Sequence, residues 1–150
     1  INIFLIFGML ITLSCGFKVL NKSQVNDFKI KEVKASGDKR INFKIKNNLL
    51  ISDSESSNNI IIINLNTKKI KNVKEKNIKN EVTKYQIILE ADIQLNLLGA
   101  EKKSLIKLSS SGDYLVARNY STTINNEKQL IDNLVENLSE KILEKINLDF

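Results

Sequence analysis

The sequence predicts an α+β fold: a two-layer sandwich in which two helices cover one face of a mainly antiparallel or mixed sheet of about four strands. Three observations lead to this fold class. One stretch of 15 residues alternates between apolar and polar side chains, and two other stretches carry apolar residues at helical spacing. The predicted order is strand, helix, strand, strand, strand, helix. Two amphipathic helices and one sheet bury the most apolar surface when both helices pack on the same face.

The first strand and the first helix meet at a turn sequence. Phe28 and Ile30 lie among polar residues and predict a short strand over Gln24–Val33. Residues 36–38, Ser-Gly-Asp, interrupt the strand pattern and offer an N-cap for a helix over Asp38–Leu50. The buried face of this helix is predicted from apolar residues spaced four apart: Ile41, Ile45 and Leu49.

Two long strands are predicted in the middle of the chain. A polar loop over Ser52–Asn59 precedes the β-branched run that begins the strand Ile60–Val73. Because an exposed run of this kind promotes aggregation, we expect a neighbouring strand or a partner protein to cover it. The strand Thr83–Leu97 has the strictest alternation. One of its faces is made of Tyr85, Ile87, Leu89, Ala91, Ile93, Leu95 and Leu97.

The returning strand is predicted over Ser104–Ser110, after a turn at residues 98–101. Its inward side chains are expected to be Ile106 and Leu108. The following SSSGDY segment is expected to interrupt the strand as a loop with Gly112 in a turn. Residues Tyr114–Tyr120 are then expected to extend the sheet before the last helix.

The final helix is predicted to begin at Asn126. Asn126 and Gln129 have the spacing of a capping box, and Glu127 lies favourably in the first turn. The apolar stripe of this helix consists of Leu130, Leu134, Leu138, Ile142 and Ile146, widened by Ile131, Val135 and Leu143. We interpret the carboxylates off this stripe, at Glu136 and Glu140, as part of a solvated face rather than as acid–base groups.

Composition limits the chemistry that the chain can perform. Among 150 residues there is no His, which excludes an imidazole base, an imidazole metal ligand and a Ser-His or Cys-His pair. No glycine-rich phosphate loop is found either. We therefore predict that the protein is not an enzyme and has neither a metal site nor a cofactor. The net charge of +6, from 23 Lys plus Arg against 17 Asp plus Glu, suits nucleic acid, lipid headgroups or phosphorylated glycolipids. The alternative is a generally solvated lysine surface without a specific partner.

The amino-terminal segment is typical of an export signal. Residues 3–13 are almost wholly apolar, which matches a signal-peptide h-region but falls short of the roughly 20 apolar residues of a membrane-spanning helix. Cys15 follows a small residue, Ser14, as in a relaxed lipobox. We expect residues 1–14 to be a lipoprotein signal peptide with one or more Lys or Arg upstream of Ile1. Cys15 then becomes the acylated first residue of a single domain over 15–150. The alternative is a free cysteine after a buried strand.

Several of these segments, in this order, resemble the LPS-assembly lipoprotein LptE family. They are LSCGFKVL at the lipidation point, DKRINFKIKNNL in the first helix, TKYQIILEADIQLNLLG in the long strand and YSTTINNEKQLIDNLVENLSEKIL leading into the last helix. The resemblance covers most of residues 15–147. It implies an outer-membrane lipoprotein of a Gram-negative bacterium, lipid-anchored on the periplasmic side. In that family the protein plugs and helps assemble the β-barrel translocon LptD, and it binds lipopolysaccharide on its way to the outer leaflet.

The resemblance also implies where lipopolysaccharide is bound. In the family, basic residues between the second and third strands and just before the last helix are associated with lipid A contact. The first region offers three lysines here, and we expect contacts with the anionic glycolipid from Lys74, Lys76, Lys79 and Arg118. The second region, residues 124–126, has no cation and so departs from the family pattern.

Two other functions fit parts of the sequence. A peripheral lipoprotein acting as a pilot or accessory subunit of another envelope complex would share the anchor and the small α+β fold. A nucleic-acid-binding module would explain the basic charge. Export of the mature chain argues against nucleic acid as a partner.

Overall fold

The computed structural model describes residues 28–51, 57, 59–99 and 103–149, and its elements follow the predicted order. They are β1 (Phe28–Gly37), α1 (Lys39–Ile51), β2 (Asn59–Lys76), β3 (Val82–Leu97), β4 (Lys103–Leu115) and α2 (Tyr120–Asp149). The predicted α+β class, with four strands and two helices, is confirmed. The predicted signal peptide, Cys15 and the first residues of the predicted first strand lie outside the described residues.

The sheet is mixed, and its spatial order is β1-β2-β3-β4. β1 and β2 run parallel and are connected through α1, whereas β2–β3 and β3–β4 are antiparallel pairs. β2 therefore has a neighbour on both sides: its Ile61 pairs with Ile30 of β1 and with Leu97 of β3. Neighbouring strands thus cover the β-branched start of β2, as predicted.

One apolar core lies between the helices and the sheet. The alternating side chains from Ile87 to Leu95 on β3 are buried, which confirms the predicted alternation, and Tyr85 and Leu97 are partly buried. The helices contribute Ile41, Ile45, Leu49, Leu134, Val135, Leu138, Ile142 and Ile146. Each fully buried side chain of this size stabilises the fold by about 1.5–3 kcal/mol. Both helices bury their stripes against the same face of the sheet, so the two-layer arrangement is confirmed.

A buried polar corner joins β1, α1 and β2. The Thr67 hydroxyl donates a hydrogen bond to Asn42 Oδ1 at 2.7 Å, and the Asn42 amide donates to the Ser36 carbonyl at 2.8 Å. The carboxylate of Asp38 accepts two backbone N–H groups of the first turn of α1, so Asp38 is the N-cap that the sequence offered. β1 runs four residues beyond the predicted end at Val33, because its ladder with β2 continues into this corner.

The prediction of a loop at residues 109–114 is wrong, because these residues belong to β4. The strand runs without interruption from Lys103 to Leu115, and Gly112 pairs with Ile87 in the ladder instead of forming a turn. A Cβ at Gly112 would lie 2.7 Å from Leu130 Cδ1. Glycine at this position therefore leaves room for the Leu130 side chain of α2 against the sheet, and the local turn signal is misleading.

α2 begins at Tyr120, earlier than the predicted start at Asn126. Asn119 caps it, because its Oδ1 accepts the Ser121 N–H at 2.8 Å. Asn126 lies inside the helix, where its amide donates to the Leu115 carbonyl at 3.1 Å. The predicted start and capping box are therefore wrong, as is the predicted strand over residues 116–120.

Replacing Gly37 with alanine is expected to destabilise the fold by roughly 3 kcal/mol or more. Gly37 has a φ of +92°, and an added Cβ would lie 2.0 Å from the Thr67 carbonyl oxygen. The left-handed conformation costs a residue with a Cβ about 1–2 kcal/mol, and the clash with backbone adds to this cost. Urea unfolding followed by circular dichroism measures the loss.

Gly99→Ala is the matched control for this variant. Gly99 has a similar φ of +87°, but its added Cβ would meet no described atom within 4 Å. Only the conformational cost remains, so we expect a loss of about 1 kcal/mol. Equal losses for the two variants would contradict the role assigned to the clash at the corner.

Candidate functional site

One end of the sheet, termed the hairpin end, combines cations with exposed apolar side chains. It comprises the β2–β3 turn with its flanks, residues 73–83, and the β4–α2 connection with its flanks, residues 115–120. The two parts are adjacent, because the Val116 N–H donates to the Thr83 carbonyl at 2.9 Å. Backbone pairing therefore presents both segments to the same region of solvent.

The turn of the hairpin end is organised by Asn77. Its Oδ1 accepts the backbone N–H groups of Lys79 at 2.9 Å and of Glu81 at 3.0 Å. The Asn77 N–H in turn donates to the Glu81 carbonyl at 2.9 Å. Asn80 has a φ of +63°, a left-handed conformation that asparagine tolerates better than most residues. The turn is thus a defined structure rather than a loose loop.

Apolar side chains at the hairpin end are open to solvent. Ile78, in the turn itself, is fully exposed. Four more large side chains here are also exposed: Val73, Leu115, Val116 and Tyr120. Exposed apolar groups with polar neighbours occur at surfaces that bind a partner or an amphiphile.

All four cations predicted to contact an anionic glycolipid lie at the hairpin end. Lys74 forms an ion pair with Asp113, and the Lys76 ammonium donates to a turn asparagine at 3.0 Å. Within the described part of the chain, Lys79 and Arg118 have no carboxylate within salt-bridge distance. The structure therefore gathers the four at one end and leaves two of them available to an external anion. Cys15, the predicted lipidation site, lies outside the described residues.

A second polar cluster joins three strands to α2. The Lys71 ammonium lies 4.5 Å from the ring centroid of Tyr85 and 5.3 Å from that of Tyr114, and the two rings stack at 5.6 Å. Glu127 Oε2 accepts hydrogen bonds from Lys71 Nζ at 2.7 Å and from the Tyr114 hydroxyl at 2.7 Å. Sequence reasoning missed this cluster. The one signal in the sequence is that Lys71 falls on the same face of β2 as Leu65 in the alternating pattern.

The members of this cluster shift one another's pKa values. Burial by itself would raise the pKa of Glu127, but hydrogen bonds from Lys71 and Tyr114 and the charge of nearby Lys69 lower it below its ordinary value. Burial acts to lower the pKa of Lys71, and its hydrogen bonds with Glu127 and Tyr114 raise it overall. Burial, together with the hydrogen bond to Glu127, raises the pKa of Tyr114. Lys71 and Glu127 are consequently both charged at neutral pH, and Tyr114 is neutral.

Glu127→Gln is expected to lower the free energy of unfolding by about 1–2 kcal/mol at pH 7, because a charged acceptor of two hydrogen bonds becomes neutral. The folded-state pKa of Glu127 lies below its unfolded value near 4.5. Its stabilising contribution is therefore present above that value and is lost as the pH falls through the folded-state pKa. Denaturant titrations at several pH values should show the difference from the wild-type protein disappearing in acid.

Asp132→Asn is the control for the Glu127 variant. It removes the more exposed ion pair between Asp132 and Lys44. We expect a loss of about 0.5 kcal/mol or less, as for most surface ion pairs. A Glu127 variant no less stable than this control at pH 7, or one whose deficit grows in acid, would contradict the assigned role of the cluster.

Solved structures of bacterial lipoproteins share this fold. Rare lipoprotein B from Shewanella oneidensis matches with a TM-score of 0.58 and 15% identity, over 79% of this chain and 99% of that chain. An uncharacterized lipoprotein B from Nitrosomonas europaea matches with a TM-score of 0.57 and 13% identity, over 81% of this chain and 86% of that chain. A protein from Caulobacter crescentus matches with a TM-score of 0.59 and 13% identity, over 85% and 92%. No family model and no curated protein matches the sequence. The likeness establishes a common fold.

Proposed function

We propose that this chain is an outer-membrane lipoprotein that plugs and helps assemble an LptD-like β-barrel translocon and assists the insertion of lipopolysaccharide into the outer leaflet. One observation carries the proposal: the element order β-α-β-β-β-α, over which the chain matches 99% of the solved chain of rare lipoprotein B. The segments that resemble LptE and the signal-like sequence before Cys15 point in the same direction. An acylated Cys15 would hold the domain at the membrane through two or three buried acyl chains.

The hairpin end supports contact with lipopolysaccharide, which is both anionic and apolar. Lys79 and Arg118 are available for phosphate groups, and the guanidinium of Arg118 can bind phosphate in a bidentate manner. Ile78 precedes Lys79 in the turn and presents a fully exposed apolar side chain. The combination suits a phosphorylated glycolipid better than a purely polar polyanion, because exposed apolar groups contribute nothing to binding the latter.

The outer face of the sheet, opposite the helices, supports residence inside a barrel. Many of its side chains are amides or hydroxyls, among them Asn64, Asn66, Gln86, Gln94, Asn96, Ser109 and Ser111. The interior of a membrane β-barrel is polar, so such a face can exchange hydrogen bonds with the barrel wall. Leu105, which is 81% exposed on β4, adds an apolar contact to this face.

The full-length protein, extracted from outer membranes in mild detergent, is expected to co-purify with a large β-barrel protein. Its depletion is expected to lower the amount of lipopolysaccharide at the cell surface. Mass spectrometry of the mature protein should show acylated Cys15 as the first residue, and Cys15→Ala should abolish anchoring. Purification without a barrel partner, together with unchanged surface lipopolysaccharide, would contradict the proposal and favour an accessory subunit of another envelope complex.

Charge reversal at the hairpin end is expected to weaken lipopolysaccharide binding. Lys79→Glu and Arg118→Glu should each raise the dissociation constant about fivefold, the effect of losing roughly 1 kcal/mol at a solvent-exposed site. Binding is measured with the purified full-length protein and photoreactive lipopolysaccharide. Lys145→Glu is the control, because Lys145 is exposed near the other end of α2. An equal rise of the dissociation constant in the control would show that the net charge of the protein, and not the hairpin end, determines lipopolysaccharide binding.

A further inference from the structure

A groove between the two helices, termed the helix groove, lies over the part of β2 that α1 does not cover. Its walls are the first turns of α1 and the residues of α2 from 124 to 132, and Lys69 of β2 lies at its base. The groove has a volume of about 640 Å³. Small-molecule sites in proteins have volumes of this order.

The helix groove has an apolar wall that faces solvent. Phe43 of α1 is 65% exposed and Ile124 of α2 is 43% exposed, and Ile131 is partly buried between the helices. A phenylalanine with most of its surface in water gains little from its position in the folded chain. An apolar ligand segment in the groove would cover Phe43 and Ile124 together.

Every carboxylate that lines the helix groove already has a partner in the protein. Asp38 caps α1 through two backbone N–H groups. Asp132 pairs with Lys44, and Glu127 accepts hydrogen bonds from Lys71 and a tyrosine. These acids therefore compete only weakly with an external anion for the remaining cations of the groove.

Four cations of the groove have no such partner among the residues that the structure describes. They come from three different elements: Lys39 and Arg40 from α1, Lys69 from β2 and Lys128 from α2. Convergence of cations from separate elements on one apolar groove creates a site of positive potential beside an apolar wall.

We propose that the helix groove binds a single-chain phosphorylated lipid. A phosphate monoester carries about 1.5–2 negative charges, which suits four cations better than a single carboxylate would. Arg40, Lys69 and Lys128 contact the phosphate, and the acyl chain lies against Phe43 and Ile124. At about 30 Å³ per water-sized group, the volume holds roughly 20 such groups, enough for the phosphate headgroup and the first part of a single acyl chain. This site goes beyond the proposed function and is separate in residues from the hairpin end.

Lysophosphatidic acid is the probe for this site, with the full-length protein held in phosphatidylcholine nanodiscs. Calorimetric titration, corrected with empty nanodiscs, should show saturable binding. Arg40→Gln and Lys128→Gln should each raise the dissociation constant about fivefold, as expected for a solvated charge contact. A lysophosphatidic acid with a diazirine on its chain should label peptides that contain Phe43 or Ile124, and Phe43→Ser should reduce this labelling. Lys46→Gln, an exposed lysine of α1 outside the groove, should leave both results within twofold of wild type.

Two comparison ligands make the result decisive. Lysophosphatidylcholine with the same chain should bind at least tenfold more weakly, and equal binding would overturn the role of the cations. Glycerol 3-phosphate should also bind at least tenfold more weakly, and equal binding would show a phosphate site with no lipid specificity. Labelling confined to the hairpin end would overturn the assignment to the groove. This experiment contains no barrel protein. A negative result would therefore contradict lipid binding in the helix groove without bearing on the proposed translocon function.

Discussion

The long strands β2 and β3 extend beyond the reach of α1, and this difference in length determines where the protein is apolar and where it is basic. A strand of 18 residues spans about 60 Å, whereas a helix of 13 residues spans about 20 Å. The inward positions of β2 in the apolar core are Ile61, Ile63 and Leu65. The inward positions that follow them are polar: Thr67, which is buried against α1, and then Lys69 and Lys71. Core burial therefore ends part-way along the strand. Lysines continue from there, with their apolar stems on the sheet, and the ammonium group of Lys71 is directed to Glu127 of α2.

The cluster around Lys71 attaches the part of α2 that precedes its apolar stripe. α2 has 30 residues and spans about 45 Å, so its first turns lie beyond the apolar stripe. There the helix is fixed by Glu127, through the tyrosine of β4 and the lysine of β2. Cation–π contacts with two stacked rings add to this attachment. The polar cluster thus extends the layered packing towards the hairpin end.

Much of the fold could be predicted from the sequence, because its strongest signals are periodic and local. The alternation on β3 and the stripes on the two helices each extend over several turns or pleats, so one misleading residue does not hide the pattern. The turn signal at Gly112 misleads because the reason for a glycine there is a tertiary contact. The side chain of Leu130 on α2 occupies the space where a Cβ would lie. The predicted start of α2 is too late because both Asn119 and Asn126 are candidate caps. Only the Asn119 side chain accepts a backbone N–H of the first turn of the helix.

The candidate sites were predictable only where the cations are near one another in sequence. The lysines of the hairpin end fall within one turn and its flanks, and a resemblance pointed to them. The partners Lys71 and Glu127 are 56 residues apart, so no local pattern joins them. No local sequence pattern predicts the helix groove either, because its cations come from three separate elements.

The charge of the helix groove depends on a contact that lies at its boundary. Glu127 lines the groove, yet its carboxylate is directed into hydrogen bonds with Lys71 and Tyr114. Lys69 is close enough to lower the pKa of Glu127, so the two charges already influence each other. Because Lys71 pairs with Glu127, Lys69 forms no ion pair with that carboxylate and can attract an external anion. The same ion pair that fastens α2 to the sheet therefore also preserves the positive potential of the groove.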